Sequence, residues 1–475
     1  MNPARLRRLW VLTLGLIIYA FLIAFGVVEL VAQAPQLLAP VSLPSPAPLR
    51  GEILAADGTP LALSLPNGHR IYPLGDSASQ LVGFGEVTPS GRFVTGLDGV
   101  ESSMNAILAS GRNVQLTINP TIQAIAERAL WAEFPKTGAR WGTAIVMDAR
   151  TGALLAVANA PAFHPNQPRS NPQDSVAWRN NAFLVPLEPG STEKVITSAV
   201  LLQVGAATLH SRVWAPMQRT IEGWTIHDVV PHPPNLTLEG VLRYSSNVGM
   251  SLLADRISPK VLYDYFVKLH YTDPNILPGA QATPPIVRPL QRWRAIEFAD
   301  ATFGQGFLIT PLQLAAALNA VANDGVYVLP RLFTDQPIQA QRVFRRSVSQ
   351  EIRRALSHVI IPEANLAGYA LGGKTGTAQV VVNGHYSNSV YTAVYGGFVP
   401  AKHTRATVVV IFFDPKGDIF GSFICAPVYR QIAAGLLAYW GIPPDSHNRY
   451  DAFNCPMCYW TPSSSNASQG GRLGP

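Results

Sequence analysis

The chain has 475 residues, of which 48% are hydrophobic and 14% are charged, and it carries a formal net charge of +7. The charged fraction is low for a soluble protein, and the basic balance would suit anionic lipids or acidic polymers. Nucleic acid is not favoured as a partner, because apart from residues 5–8 and 342–346 the basic side chains form no cluster.

Residues 9–31 are predicted to form a transmembrane anchor. Residues 9–28 contain no charge and are about long enough to cross a bilayer. Three arginines lie within residues 1–8, so this short segment should stay cytoplasmic and the rest should face outward. A cleavable signal peptide is the alternative, with Ala32-Gln33-Ala34 as its cleavage site, but the apolar run is long for one. We therefore expect a single-pass membrane protein.

Composition divides the rest of the chain into four parts. Residues 32–49 are rich in proline and predict an extended stalk. Residues 50–112 mix short strand-like pieces with turns such as Asp57-Gly58, and we call this part the pedestal. Residues 113–443 are long enough for one large core. Residues 444–475 predict a largely disordered tail.

The large domain has strand-like runs at both ends of its sequence and helical patterns between them. Two helices are predicted at residues 311–322 and 427–440. If early and late strands share one sheet, the fold is α/β: an antiparallel sheet with helices on both faces and a helical insert. The strand-like runs are residues 144–147, 154–157, 378–382, 394–399 and 406–413.

Ser191-Thr192-Glu193-Lys194 follows Pro189-Gly190 and opens an apolar run at residues 195–202 that predicts a buried helix. A serine in the first turn lies at the positive end of the helix dipole, where free N–H groups can hold an oxyanion. Lys194 shares its helix face, and once desolvated it can accept the proton of the Ser191 hydroxyl. Taken alone, the pattern more often means a capping serine with a surface lysine.

Ser245-Ser246-Asn247 is a second polar motif, at the start of a stretch of mixed polarity. Ser245 could carry a proton between Lys194 and a leaving group. Asn247 can both donate a hydrogen bond to a substrate amide and accept one from it. A polar turn between two helices is the commoner meaning of such a tripeptide.

Lys374-Thr375-Gly376-Thr377 leads directly into a strand-like run. An edge strand with this sequence offers a cation for an anionic substrate, and Gly376 leaves room for a substrate backbone to pair alongside. The Thr377 N–H could complete an oxyanion hole with that of Ser191. In this order, the three motifs predict an enzyme that transfers acyl groups through a serine.

Two other groups of residues could suggest a metal. His227, Asp228 and His232 lie in a proline-rich loop without helical spacing, so we predict no metal there. Cys455 and Cys458 form a lone Cys-x-x-Cys with no further ligands adjacent, and outside the cell they could form a local disulfide. We predict no cofactor.

With these motifs the chain resembles the class B penicillin-binding proteins, which are membrane-anchored D,D-transpeptidases that cross-link peptidoglycan. The resemblance runs from about residue 50 to about residue 440. Besides the three motifs, it is carried by Arg50-Gly51-Glu52-Ile53, residues 57–62, 114–118 and 146–156, Glu188-Pro189-Gly190-Ser191-Thr192, Phe303-Gly304-Gln305-Gly306 and residues 310–314.

The resemblance implies a penicillin-binding, serine β-lactamase-like transpeptidase fold and a role for each motif residue. The implied roles are nucleophile for Ser191, base for Lys194, proton relay for Ser245, amide binding for Asn247, carboxylate binding for Lys374, and substrate binding for Thr375, Gly376 and Thr377. Glu193 departs from the family, in which an apolar or aromatic residue is common. Its one-residue offset should point it away from the Ser–Lys face, whereas contact with Lys194 would raise the pKa of that lysine.

The resemblance also implies a reaction, partners and a location. The reaction is acyl transfer from D-Ala-D-Ala stem peptides, or the lipid-linked precursor polymer, to a neighbouring amine, with D,D-carboxypeptidase activity as a side reaction. β-Lactams would inhibit it by acylating Ser191. The alternative is a structural subunit that activates a membrane glycan polymerase of the SEDS type, a partner expected in either case. The domain would face the periplasm or outer side of the bacterial plasma membrane, in septal or side-wall synthesis.

Overall fold

The computed structural model describes residues 3–37, 49–168, 175–359 and 361–445. The chain divides into two compact units, Met1–Pro48 and Leu49–Pro475. Most of the predicted stalk and nearly all of the predicted disordered tail, including Cys455 and Cys458, lie outside the described residues.

The described part of the first unit is one helix, α1, Pro3–Leu37. Trp10–Glu29 is 20 residues long with a mean hydropathy of 2.7, and none of it is buried in protein. Among the described residues, this is the one helix long and apolar enough to cross a membrane, so it fits a single-pass anchor. The helix also includes residues 32–37, which were predicted as extended stalk. These residues continue the helix because Ala32, Gln33 and Ala34 are good helix formers.

The second unit begins with the pedestal, which is built from short elements. Its sheet has the order β3-β2-β1-β6, with β1 and β6 parallel and the other pairs antiparallel. Because β6 lies beyond residue 112, the pedestal sheet crosses the predicted boundary. The elements are β1 Ile53–Leu54, β2 Pro60–Ser64, β3 Arg70–Ile71, α2 Ser79–Val82, β4 Gly85–Val87, β5 Phe93–Gly96, α3 Gly99–Ser103, α4 Asn105–Ala109 and β6 Val114–Gln115.

A buried charge cluster holds the pedestal together. The Glu101 side chain has no solvent exposure, and it accepts hydrogen bonds from Arg50 Nε at 2.8 Å and Arg70 Nε at 2.7 Å. Arg70 also donates to the Gly51 carbonyl at 2.8 Å. The cluster therefore ties the chain entering the pedestal to strand β3 and helix α3.

The large domain contains the remaining helices and strands. Its strands are β7 Trp141–Asp148, β8 Leu154–Ala160, β9 Arg212–Trp214, β10 Gln218–Ile221, β11 Trp224–His227, β12 Asn235–Thr237, β13 Val326–Val328, β14 Ala340–Arg342, β15 Gly372–Val382, β16 His385–Val399 and β17 Ala406–Phe413. Its helices are α5 Pro120–Thr137, α6 Ser175–Trp178, α7 Asn181–Leu184, α8 Glu193–Gln203, α9 Leu238–Tyr244, α10 Asn247–Ala254, α11 Pro259–Lys268, α12 Ala295–Ala301, α13 Pro311–Ala322, α14 Arg346–Ser357, α15 Gly421–Ile424 and α16 Ala426–Tyr439.

Five strands form the central sheet in the order β15-β16-β17-β7-β8, and every neighbouring pair is antiparallel. Successive residues of β7 face opposite cores, as a pleated strand requires. Ile145 and Met147 pack into one core and Ala144 and Val146 into the other. Helices α5 and α16 cover the face of Ala144 and Val146, and α13 lies on the face of Ile145 and Met147. The predicted α/β arrangement, with early and late strands in one sheet, is confirmed.

Candidate active site

A glycine turn places Ser191 at the start of helix α8. Gly190 has φ +56°, a left-handed conformation that favours glycine, and its N–H donates to the Gly304 carbonyl at 3.0 Å. A single 3₁₀ turn, Gly190–Thr192, then leads into α8. Ser191 thus lies in the 3₁₀ turn that precedes α8, where its backbone N–H has no partner within the helix.

Lys194 brings the first two motifs together. Its side chain is fully buried, and its Nζ donates to Ser191 Oγ at 2.7 Å and to Asn247 Oδ1 at 2.6 Å. It also donates to the Ser245 carbonyl at 2.9 Å and lies 3.3 Å from Ser245 Oγ. Burial, followed by the charge of Lys374, holds the pKa of Lys194 well below its usual value. A neutral Lys194 amine at this distance can accept the Ser191 proton.

Ser245 connects the two lysines of the site. It ends helix α9 in the left-handed conformation, with φ +57°, so both its carbonyl and its hydroxyl reach Lys194. The same hydroxyl accepts a hydrogen bond from Lys374 Nζ at 2.9 Å. Burial lowers the pKa of Lys374 to about 7. A chain of hydrogen bonds therefore runs from Ser191 through Lys194 and Ser245 to Lys374.

The third motif lies on β15, which is an edge strand as predicted. Thr375 and Thr377 are half-buried, whereas Lys374 and Gly376 face inward. A Cβ on Gly376 would come within 3.0 Å of the Pro189 carbonyl. The space beside this glycine is therefore filled by the loop before Ser191, and the absence of a side chain lets the strand approach that loop.

The site contains a carboxylate that the sequence motifs do not identify. The Asp228 side chain accepts hydrogen bonds from the backbone N–H groups of Asn247 and Val248 and from Ser246 Oγ. It thereby caps the first turn of α10. The Asn247 amide is held at its other end as well, because its Nδ2 donates to the His227 carbonyl at 3.1 Å. The only sequence signal was the abundance of His and Asp in this loop, which suggested a metal. Among the described residues, no group of three or more His, Cys, Asp or Glu side chains could hold one.

The Glu193 side chain points toward Tyr271 and not toward the Ser191–Lys194 pair. It is fully buried, and Tyr271 donates its hydroxyl to Glu193 Oε2 at 2.9 Å. The other oxygen, Oε1, has no hydrogen-bond partner among the described residues. Burial raises the pKa of Glu193 well above its usual value, which favours the neutral acid. As its one-residue offset predicted, Glu193 does not contact Lys194.

The buried Glu193 should leave a signature in the dependence of stability on pH. A carboxyl whose pKa is raised by folding stabilises the fold fully below the unfolded value of about 4.3, and this contribution is lost as pH rises. The wild-type chain should therefore lose stability, relative to the full chain carrying Glu193→Gln, as pH rises above about 4.3. The difference in free energy of unfolding between the two proteins should change by at most about 1.4 kcal/mol per pH unit. Urea unfolding in detergent from pH 4 to pH 8 measures the difference. A difference that does not change with pH would contradict it.

The fold and the site together define a serine acyltransferase, with a Ser–Lys pair at the start of a buried helix and a lysine on the edge strand of an antiparallel sheet. Residues 142–434 match the family described as penicillin binding protein transpeptidase domain. The chain belongs to this family, as a class B penicillin-binding protein.

Individual relatives agree with the family match. The probable peptidoglycan D,D-transpeptidase PenA of Neisseria gonorrhoeae is 32% identical over 413 residues, which are 79% of this chain and 69% of that protein. The peptidoglycan D,D-transpeptidase FtsI of Escherichia coli is 32% identical over 81% of this chain and 70% of its own. The chain also superposes on the crystal structure of penicillin binding protein 3 from Mycobacterium tuberculosis complexed with ampicillin, with a TM-score of 0.77 at 29% identity. The matched part is 85% of this chain and 98% of the chain in that crystal structure.

Proposed function

We propose that this protein cross-links peptidoglycan by serine acyl transfer. The donor is a stem peptide that ends in D-Ala-D-Ala, and the acceptor is an amine on a neighbouring stem. The observation that carries the proposal is the hydrogen bond of 2.7 Å between Lys194 Nζ and Ser191 Oγ, made by a fully buried lysine whose pKa is lowered. A base in contact with a nucleophile is what this reaction requires first.

In the acylation step, neutral Lys194 takes the proton of the Ser191 hydroxyl while Ser191 Oγ attacks the carbonyl of the penultimate D-Ala. The negative charge that develops on the carbonyl oxygen is stabilised by backbone N–H groups, for which we propose those of Ser191 and Thr377. The C–N bond then breaks. Ser245 passes a proton from Lys194 to the leaving nitrogen, and free D-Ala departs with a new N–H bond.

The acceptor amine reacts with the acyl-enzyme in the reverse sense. Its nitrogen attacks the ester carbonyl and loses a proton to Lys194, the C–O bond to Ser191 breaks, and Lys194 returns a proton to Ser191 Oγ. The products are a new amide between two stems and the free enzyme. Asn247 is suited to hold the donor amide, because its side chain is fixed by both Lys194 and the His227 carbonyl.

We assign carboxylate binding to Lys374 and its half-buried neighbours Thr375 and Thr377. Burial lowers the pKa of Lys374 to about 7, and a carboxylate nearby would favour the ammonium form. A β-lactam carries both a carboxylate and a reactive carbonyl. Ser191 would attack the β-lactam ring as it attacks the peptide, and the resulting ester would block the enzyme.

The apolar helix α1 anchors the protein, and the basic residues before it favour a cytoplasmic N-terminus. The transpeptidase domain would then face the periplasm or outer side, where peptidoglycan lies. A membrane glycan polymerase of the SEDS type is the partner we propose, since cross-linking needs newly made glycan. A purely structural role is less favoured, because such a role would not require the buried Ser191–Lys194 contact.

Treating the purified full chain with a fluorescent penicillin, followed by mass spectrometry of the labelled peptide, tests the proposal. We expect one adduct, on Ser191, which is lost in Ser191→Ala. Release of D-Ala from a stem pentapeptide, stimulated by an acceptor amine, then separates catalysis from a scaffold role. Folded protein that forms no adduct and releases no D-Ala would contradict the proposal and favour the structural subunit.

A further inference from the structure

Asp228 and His232 form a buried pair directly behind the Ser245-Ser246-Asn247 motif. Both lie in the loop between β11 and β12, and each side chain is only 1% exposed. His232 Nε2 lies 2.8 Å from Asp228 Oδ2. Neither residue touches Ser191, so the proposed mechanism uses neither directly.

The hydrogen bonds around Asp228 indicate that it is an ionised carboxylate. Oδ1 accepts from the backbone N–H groups of Asn247 and Val248. Oδ2 accepts from Ser246 Oγ, whose own lone pair accepts from the Gly249 N–H at 2.7 Å. Every neighbour in this set is a donor, and a carboxylate can accept from all of them. His232 Nε2 is the fourth neighbour of this carboxyl group.

Both ring nitrogens of His232 lie within hydrogen-bond distance of acceptor oxygens. Nδ1 lies 2.9 Å from the Pro233 carbonyl, which can only accept. Nε2 faces the Asp228 carboxylate, which also only accepts when ionised. A neutral imidazole has one N–H and could satisfy only one of these acceptors, whereas the imidazolium satisfies both. The ring of Tyr244 lies against His232, with 6.0 Å between ring centroids.

This pair matters to the site because the charge on Asp228 acts on Lys194. The negative charge of Asp228 raises the pKa of Lys194, in opposition to burial and to Lys374. A positive charge on His232, beside the same carboxylate, reduces that effect. The other acidic group close in sequence, Glu193, faces Tyr271. Among the cations nearby, Arg243 lies over Tyr244, with its guanidinium carbon 5.9 Å from the ring centroid, and Arg219 on β10 contacts Ser251 of α10.

We propose that His232 is a positioning residue for the acylation step: as an imidazolium, it holds the Asp228 carboxylate against the first turn of α10 and offsets its negative charge beside Lys194. The inference rests on the proposed function. It assigns to His232 two effects at once, since the Asp228 carboxylate orients Asn247 and Asn247 in turn contacts Lys194 Nζ. Loss of His232 should therefore change the basicity of Lys194 as well as the placement of Asn247.

The test is the pH profile of acylation by a fluorescent penicillin, measured as a second-order rate on the purified full chain in detergent. The rate should rise with pH as Lys194 loses its proton. In His232→Gln, we expect this acidic limb to move up by about one pH unit, which makes acylation about tenfold slower at a fixed pH on the limb. In Asp228→Asn the limb should move down instead, because the negative charge is removed. His210→Gln, on an exposed histidine, should leave the profile unchanged.

A role in structure alone would lower the rate by the same factor at every pH and leave the limb in place, and that result would overturn the inference. In the Asp228→Asn background, His232→Gln should move the limb no further if the two side chains act as one unit. If His232→Gln does not fold, His232→Asn replaces it in the same measurement, with the same upward movement of the limb expected. A wild-type protein that is not acylated on Ser191 would refute the proposed function, whereas an acylated one with unshifted variants refutes only the role of His232.

Discussion

Lys194→Met is expected to slow the acylation of Ser191 by a penicillin about 10²–10⁴-fold, the range that a general base contributes. Lys194 Nζ is the one side-chain base in contact with Ser191 Oγ among the described residues, at 2.7 Å. Without it, the serine must react as a neutral hydroxyl. Methionine has a similar length and tolerates burial, so the fully buried position should accept it with little change in the fold. The amount of covalent adduct against time, at several penicillin concentrations, gives the rate.

The matched control is Lys402→Met, which removes a charge from an exposed lysine and should leave the rate unchanged. Thermal unfolding of both variants in detergent checks that each is folded. A folded Lys194→Met protein that is acylated within tenfold of the wild-type rate would show that another group accepts the proton. The assignment of Lys194 as the base would then be wrong.

Glu101→Gln is expected to lower the free energy of unfolding by about 3–5 kcal/mol, the usual effect of removing one partner from a buried ion pair. The side chains of Glu101, Arg70 and Arg50 are 0%, 1% and 9% exposed. Glutamine has nearly the same shape, so the loss comes from charge. Two guanidinium groups are left in a medium that solvates them poorly. Urea unfolding of the full chain in detergent measures the change.

Glu133→Gln is the control for this experiment. Glu133 pairs with Lys136 at 2.9 Å, but the lysine side chain is 64% exposed. Exposed pairs contribute about 0–1 kcal/mol, so this variant should unfold close to wild type. Equal and small effects of both substitutions would show that the two arginines find other partners when Glu101 is neutral.

The residues of the candidate site could be predicted from sequence because each lies in a short local pattern. The Pro189-Gly190 turn and the apolar run after it predict the start of a helix, and a spacing of three residues then puts Lys194 on the face of Ser191. Helix α13 was also predicted at its observed bounds, Pro311–Ala322, since proline and a capping threonine mark its start. The five predicted strand-like runs all lie on strands of the central sheet.

Features that depend on contacts between distant segments were less predictable. Strand β16 begins at His385, although the apolar run begins only at Val394. Its first half is polar and exposed, so pairing with β15 and not burial defines it. The position of Asp228 in the site was harder still to predict from sequence. Its role depends on Asn247 and Val248, and nothing in a proline-rich loop indicates which helix will bring its N–H groups there.

The order of strands in the central sheet has a consequence for how the protein is made. Strand β7 is paired on one side with β17, and more than 250 residues lie between Asp148 and Ala406. Synthesis at about 5–20 residues per second takes roughly 12–50 s to cover that distance. For this period β7 has an open, apolar edge, which is where chains associate wrongly. Nascent chains that stop before residue 406 should therefore be prone to aggregation, and a chaperone that shields sheet edges would act in this interval.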